Sequence, residues 1–491
     1  MMRLSELVVL HGGTLRAVGS ADPVIQDVQL DSRRVVPGDL FCALPGGTFD
    51  GAEFVADAMS RGAVAVLAPS GLATPASIAT WTHADVAPVV GLAASSVHGS
   101  PSHDLFTVGI TGTNGKTTTA HIVHQLFTAC GKTSGVLGTA GHLLAGGVLR
   151  HATHTTPDAP ELQRLMREHA RLGGDALAME VSSHALGQDR VSGVEFDVAM
   201  FTNLTRDHLD YHGDLESYAR AKARLFGGLS SNAHAVVNLD DPASAVMAEA
   251  ATKRGARVLT FSIGSRADLS ASQLKFDRNG TSFFLSGMGM ARTYVSIPMA
   301  GRYNVENALA ATAALLLSGA SPSTIVEGLA TVSSAPGRLQ QLALEEREFD
   351  VFIDYAHTDD ALEKVLGALR ETRDGGRLIV VFGCGGDRDR SKRASMGDVA
   401  GRLSDYAVVT SDNPRTEDPN AIIEDIRSGM QSAQANVAVW PDRREAIRAA
   451  LGEARAGDAV LIAGKGHETT QEIGSVKVPF DDRLVALEEL P

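Results

Sequence analysis

The chain has 491 residues, with 44 Lys or Arg against 58 Asp or Glu, a formal charge of −14 at pH 7. That balance, with no Lys/Arg cluster, excludes a non-specific nucleic-acid binder. At about 150 residues per domain the length predicts three domains. No stretch approaches the roughly 18 apolar residues of a membrane span, and the first residues, MMRLSELVVLHGG, carry Glu6 and lack the apolar core of a secretory signal. A soluble cytoplasmic protein is expected, and charge and composition suggest a monomer. Cys42, Cys130 and Cys384 are far apart without metal-ligand spacing and read as small apolar residues.

Residues 1–104 form a first, smaller α/β segment. It carries DSRRVVPGDLFCALPGGTFDG (31–51), short apolar runs broken by glycine and proline turns, and ends in the polar connector VHGSPSHD (97–104). Residues 105–335 open on an apolar run, 105–110, which reads as a buried strand. Next come the loop TGTNGKT (111–117) and a predicted helix over 117–130. Strand, glycine-rich loop and helix in that order are the context of a phosphate-binding loop. Loop amides and the helix N-terminus would face phosphate, Lys116 would supply a point charge, and the Thr117 hydroxyl is placed to ligate magnesium. The strict pattern wants glycine where the chain has Ile110.

Further along, MEVSSHALGQDR (179–190) puts Glu180 at the end of a predicted strand, placed to share magnesium with Thr117. Such a glutamate alone is more often a surface residue or a helix cap. FTNLTRDHLDYHG (201–213) concentrates Asn203, Arg206, Asp207, His208, Asp210 and His212, and YARAKARLF (218–226) places Lys222 in a helical segment. The motif SSAPGR (333–338) reads as a hinge into residues 336–491. There the apolar runs 349–354, 378–382, 407–410, 437–440 and 459–463 alternate with helix-length segments, which predicts a Rossmann-like, doubly wound parallel sheet. The loops GCGGDRDR (383–390) and AGKGHE (463–468) follow strand ends and are site candidates.

Taken together these stretches resemble the Mur ligases, the ATP-dependent amide-forming enzymes of peptidoglycan precursor synthesis. The resemblance is carried in family order by TGTNGKTTT (111–119), HTTPDA (154–159), MEVSSHAL (179–186), NLTRDHLDYH (203–212), YARAKARLF (218–226), GRYNVENALAA (301–311), PGRLQ (336–340), DYAHTDDAL (354–362), GCGGDRDRSKR (383–393), DNPRTEDP (412–419) and GKGHE (464–468). HTTPDA, GCGGDRD, DNPRTEDP and GKGHE together are similar to the MurE-type branch, which extends UDP-N-acetylmuramoyl-L-alanyl-D-glutamate by one amino acid. The resemblance implies a UDP-substrate domain (1–104), a central P-loop-type ATP-binding domain with a mainly parallel sheet (105–335) and a Rossmann-like amino-acid domain (336–491).

It also implies site residues. For ATP they are Thr113, Asn114, Gly115, Lys116, Thr117, Thr118, Asn304, Asn307, Arg338, Asp354 and His357. For Mg2+ they are Thr117, Glu180, His208 and Lys222, the last as a carbamate, which turns a repelling cation into an oxygen ligand; Lys116, Glu180, His208 and Lys222 are the implied catalytic set. The uridine side would be met by Ser32, Gly47, Thr48, Asp50 and Gly51, although Gly47 and Gly51 equally fit simple turn geometry. Thr155, Thr156, Ser182, Gln188 and Arg190 would meet the sugar-phosphate and peptide side.

The amino-acid end would be held by Arg388, Asp412, Asn413, Arg415, Gly464 and Glu468. The DNPR tetrad resembles the version selecting meso-diaminopimelate over lysine. Arg415 either offers its planar fork to the extra carboxylate or makes an ordinary salt bridge. Gln340 stands where the family usually has an acid, and Asp359 where proline is usual. The remaining readings are lysine addition, a folylpolyglutamate-synthetase-like or cyanophycin-type ligase, and a nucleotide-dependent switch. The DNPR tetrad speaks against the first, the DSRRVVPGDLF and HTTPDA stretches against the second, and the Glu180, His208 and Lys222 grouping against the third.

Overall fold

The computed structural model describes every residue except 47–49, 208, 265, 345–347, 374, 432 and 491. Contacts divide the chain into one unit of Met1–Lys116 with Phe127–Thr260 and another of Thr117–Leu126 with Phe261–Pro491.

The first unit opens with a five-stranded sheet in the order Thr14–Arg16, Ala79–His83, Ala65–Pro69, Asp39–Cys42, Asp27–Gln29. The first pair is antiparallel and the others parallel. Its apolar residues leave no face for water: Leu40, Leu67 and Trp81 are fully buried against the helix Val86–Val97. Trp81 keeps its indole donor satisfied on the Gly12 carbonyl at 2.8 Å. The helix Val86–Val97 passes so close to the loop after residue 191 that a Cβ on Gly91 would lie 2.1 Å from the Ser192 carbonyl oxygen. Only glycine fits there.

A second layer of strands in this unit runs Val148–Arg150, Gly141–Leu144, Ser134–Gly138, Ala176–Glu180, Phe106–Thr111, Val198–Phe201, His234–Asn238. The last four pair in parallel as far as His234–Asn238, and Ser134–Gly138 is parallel to Ala176–Glu180. A strand covered on both faces by helices must be apolar throughout, and Val108 and Ile110 are fully buried. Because Glu180 pairs with Ile110 and Phe201 with Thr111, three parallel strands end side by side. Their carboxyl ends deliver the loop after Thr111, the Glu180 carboxylate, and Thr202 with Asn203 to one edge.

In the second unit the end of Arg257–Ile263 pairs in parallel with Leu269–Asp277, which starts an antiparallel meander through Gly280–Gly287 and Met290–Ile297. The alanine-rich helix Arg302–Leu317 is apolar nearly all round and correspondingly buried. The last sheet runs Gln340–Gln341, Asp350–Asp354, Ala459–Ala463, Leu378–Phe382, Tyr406–Val409, Asn436–Val439. All its pairs are parallel except the two-residue edge. Helix Asp359–Glu371 lies over one face, in a core with Leu362, Leu366 and Phe382; Arg443–Glu453 covers the other, with Ile447, Ile462 and Val485. The hairpin Thr470–Ile473 with Val476–Pro479 follows.

Ile462 is fully buried between two parallel neighbours. Ile462→Ala should cost about 3 kcal/mol through lost burial and a residual cavity, and a lowered urea midpoint against the parent chain checks it.

Candidate functional site

The loop after Phe106–Thr111 is held from outside as much as by its own glycines. Asn203 clamps it: its backbone carbonyl accepts from the Thr113 amide (2.8 Å), its side-chain oxygen from the Asn114 amide (2.9 Å), and its side-chain amide donates to the Asn114 carbonyl (3.2 Å). Thr202 donates its hydroxyl to that same carbonyl at 2.7 Å. Gly112 and Gly115 take φ of 152° and 87°, values that favour glycine.

Two amino groups then converge on one oxygen. Lys116 Nζ donates to the carbonyls of Gly112 and Thr113, each at 2.8 Å, and Lys222 Nζ donates to Gly112 at 2.8 Å. Lys222 lies on the helix Leu215–Gly227, buried, its nitrogen 4.1 Å from the centre of the Tyr218 ring. Burial and the neighbouring Lys116 charge push its pKa well down against a smaller opposing pull from Asp207. Burial likewise raises the Tyr218 hydroxyl to about 12.

Glu180 ends its strand as a buried carboxylate that accepts from the Thr139 amide at 2.8 Å and the Thr139 hydroxyl at 3.2 Å. From there a polar chain gathers all five residues expected on the sugar-phosphate and peptide side. Thr139 donates to the Thr155 hydroxyl (3.0 Å), and Thr156 donates to the Glu180 carbonyl (2.9 Å) while accepting from the Ser182 amide (3.0 Å). Arg190 donates to the Thr156 carbonyl (3.1 Å) and to Gln188 (2.9 Å). Ser182 caps the helix Ser183–Gly187. In the first sheet's loops, Ser32 is buried at the start of a 3-10 turn, and Asp50 caps Gly51–Phe54. A Cβ on Gly51 would sit 2.6 Å from the Leu44 nitrogen, so close approach accounts for that glycine. Gly47, Thr48 and His208 lie outside the described residues. Among the described residues no group of three or more His, Cys, Asp or Glu is arranged to hold a metal.

The second unit contains its own constellation. Arg338 Nη2 donates to the Thr117 hydroxyl at 3.3 Å, and the guanidinium lies 4.3 Å from the centre of the Tyr355 ring. Thr119, two residues beyond Thr117 and next to the buried Thr118, donates to Asn307, which donates to Asn304 (3.1 and 3.2 Å). Asp354 accepts from the Leu339 amide at 2.5 Å and the Ala356 amide at 2.7 Å. Burial raises its pKa and the Arg338 charge opposes that rise. His357 contacts the Tyr355 carbonyl at 2.8 Å. Gly337, at φ 65°, has the His467 amide nitrogen 2.1 Å from where a Cβ would stand.

Both departures from the family pattern have a local account. Gln340 offers a side-chain oxygen to the Gly337 amide at 3.0 Å, and Asp359 opens the helix Asp359–Glu371, where its charge meets the favourable end of the helix dipole.

Asp412, Asn413 and Arg415 are held by residues that the motifs did not single out. Gln471 donates to the Asp412 carbonyl at 2.7 Å, and the Glu472 amide donates to the Asn413 side-chain oxygen at 2.9 Å. Arg415 donates its backbone amide to the Glu472 carbonyl (3.1 Å), its Nε to the Glu472 carboxylate (3.0 Å) and its Nη1 to the Gly386 carbonyl (2.7 Å). Its own carbonyl accepts from Gly474, and its φ is 50°, a left-handed value rare for a side chain of this size. Lys465, fully buried, donates to Asn413 and to Glu468, both at 3.1 Å, and lies 3.7 Å from Asp412. Gly464 (φ 116°) lies beside the Asp412 carboxylate. Arg388 is exposed in its loop. Gln471, Glu472, Lys465 and Asn203 are thus site residues that sequence reasoning left unassigned; Lys465 sat inside a quoted motif, whereas the hairpin carried no signal.

Three family descriptions match the chain in succession: "Mur ligase family, catalytic domain" over residues 24–98, "Mur ligase middle domain" over 110–315 and "Mur ligase, glutamate ligase domain" over 337–466. A Geobacillus thermodenitrificans protein named UDP-N-acetylmuramoyl-L-alanyl-D-glutamate--2,6-diaminopimelate ligase is 43% identical over 471 residues, 95% of this chain and 94% of that one. A Solibacter usitatus protein of the same name is 44% identical over 474 residues, 96% and 94% of the two chains. A solved structure described by that name superposes with a TM-score of 0.70 at 36% identity, covering 95% of this chain and 94% of the other. On near full-length identity and on three consecutive domain matches, the chain belongs to the Mur ligase family.

Proposed function

We propose that this chain is an ATP-dependent, ADP-forming ligase that joins meso-diaminopimelate to UDP-N-acetylmuramoyl-L-alanyl-D-glutamate in cytoplasmic peptidoglycan precursor synthesis. The observation that carries the choice of amino acid is the segment Asp412–Arg415, where Asp412 is buried, the Asn413 side-chain amide is held by the Glu472 backbone, and the Arg415 guanidinium is fixed by an ion pair with Glu472 and by the Gly386 carbonyl. A second α-amino-acid head group needs those complementary charges, and a lysine side chain has no carboxylate for the fork. The relatives that match nearly end to end carry the same reaction in their names. Domain limits at 1–104, 105–335 and 336–491 are proposed with it. No helix of the described residues is long and apolar enough to cross a membrane.

In this reading the D-glutamate carboxylate attacks the γ-phosphorus of ATP, releasing ADP and leaving an acyl phosphate. The diaminopimelate amine then attacks the acyl carbon, and the tetrahedral adduct collapses to the amide with loss of phosphate. Residues Thr113 to Thr118 cradle the triphosphate with loop amides and the Lys116 charge. Asn304, Asn307, Arg338, Asp354 and His357 hold the rest of the nucleotide; Ser32, Gly47, Thr48, Asp50 and Gly51 the uridine end; Thr155, Thr156, Ser182, Gln188 and Arg190 the peptide side.

Mg2+ takes oxygen donors, and the Thr117 hydroxyl and the Glu180 carboxylate are the proposed ones; the ion would neutralise phosphate charge. His208 and Lys222 complete the proposed ligand set. As an ammonium Lys222 would repel the ion, and burial with the neighbouring Lys116 charge pushes its pKa down, the direction that favours adding carbon dioxide as a carbamate. Arg388, Gly464 and Glu468 join the tetrad at the amino-acid end.

The test is phosphate release from ATP with Mg2+ and the UDP-dipeptide, comparing meso-diaminopimelate, L-lysine and no amino acid. Turnover with diaminopimelate alone is expected; turnover with lysine alone would overturn the role of the tetrad, and silence throughout would overturn the ligase. Arg415→Ala should raise the diaminopimelate KM roughly thirtyfold, the equivalent of about 2 kcal/mol for a lost charge-assisted fork, with the ATP KM little changed in the same steady-state assay. Lys222→Ala should lower kcat by at least roughly a hundredfold, and added formate or acetate should restore part of it; no recovery across a concentration series would count against the carbamate.

A further inference from the structure

The loops that begin at Asp412 and Gly464 follow strands that are not neighbours, because Leu378–Phe382 lies between Ala459–Ala463 and Tyr406–Val409. No backbone ladder can tie them directly. Side chains do so instead: Asn413 accepts from Lys465 and donates to Glu468 farther along the loops, both at 3.1 Å, and one arginine ties their roots. Arg443, the first residue of the helix Arg443–Glu453, is 1% exposed and spans the gap from beneath: Nη1 donates to the Ser411 carbonyl at 3.3 Å and Nη2 to the Ala463 carbonyl at 3.0 Å. Those carbonyls belong to the residues immediately before Asp412 and Gly464. Its remaining donors make a two-point pair with Asp482, itself 0% exposed at the start of the helix Asp482–Glu488: Nε to Oδ1 at 2.8 Å and Nη2 to Oδ2 at 2.6 Å.

We propose that Arg443 is the positioning residue of the amino-acid end: neutralised by Asp482, its fork locks the Ser411 and Ala463 carbonyls so that residues 412–415 and 464–468 present one surface to a zwitterionic amino-acid head group. The inference rests on the ligase reading above and deepens it. Two physical arguments and one observation support it. A buried ion pair is not needed for stability as such, since apolar pairs of similar volume commonly replace one without loss. The fork's geometry, unlike an ammonium's, reaches two carbonyls and a carboxylate at once. The Asp412 carboxyl oxygen Oδ1 is buried without a hydrogen-bond partner among the described residues, facing Lys465 at 3.7 Å. Burial raises the Asp412 pKa, and the Arg443 charge is the largest influence opposing that rise, ahead of Lys465. Arg443 thereby favours the ionised carboxylate that an incoming ammonium requires.

The test uses the full chain carrying Arg443→Lys, and separately the paired change Arg443→Met with Asp482→Leu, each compared with the parent by thermal melting and by phosphate release. At saturating ATP and UDP-dipeptide both variants should raise the diaminopimelate KM at least tenfold, while the ATP KM, measured at saturating diaminopimelate and UDP-dipeptide, stays within twofold. Equal rises in both constants, or no rise in either, would overturn the positioning role. Should the paired variant not fold, Arg443→Lys decides alone; should neither fold, the pair is a folding determinant and the proposal falls. If the parent turns over only with L-lysine, the same comparison is made with lysine. A parent silent with both amino acids overturns this inference and the ligase reading together, whereas an active parent with unaffected variants overturns this inference alone.

Discussion

Two lysine side chains drawn to the one carbonyl of Gly112 set the terms for the first unit. Cations this close in a poorly hydrated place repel, and burial together with the Lys116 charge pushes the Lys222 pKa down. Everything around that oxygen is arranged to keep the geometry: Asn203 and Thr202 grip the loop at Asn114, and Tyr218 lies under the Lys222 nitrogen. The parallel register that aligns Thr111, Glu180 and Phe201 brings these pieces to the same edge. A fold with antiparallel central strands would send alternate strand ends to opposite edges.

The second unit solves a different problem by similar means. Its final sheet ends in loops that meet although a strand separates them, and polar side chains bridge what the ladder cannot. The hairpin residues Gln471 and Glu472 hold Asp412, Asn413 and Arg415 from one side, and Arg443 holds the roots of both loops from below. Within each unit, then, rigid strands set the coarse position of the loops, and buried polar groups fix their orientation.

Much of this was legible in the sequence because the chemistry is local there. The runs at 378–382 and 459–463 coincide with the observed strands, since a strand buried on both faces is an unbroken apolar word. The phosphate-loop strand and its helix lie within one residue of their expected limits. The antiparallel meander from Leu269 to Ile297 leaves no clean period in the sequence, because a register shift between Ser272 and Lys275, with Gln273 at φ 54°, breaks the alternation of its first strand. Asn203 was seen only as one of a polar cluster, and Gln471, Glu472 and Lys465 were not assigned. Their roles come from tertiary partners dozens of residues away, as with Lys465 and Asn413 or Asn203 and Asn114, and no periodicity encodes such a partnership.

The left-handed backbone of Arg415 has an evolutionary consequence. Holding a long side chain at φ 50° costs of order 1 kcal/mol, and the hydrogen bonds to Glu472 and Gly474 offset that cost whatever side chain is attached. A lineage replacing the residue at this position therefore starts from a backbone already suited to asparagine or glycine. Those two replacements would relieve strain while removing the cation, which makes loss of the ion pair with Glu472 easier to reach by mutation than its recovery.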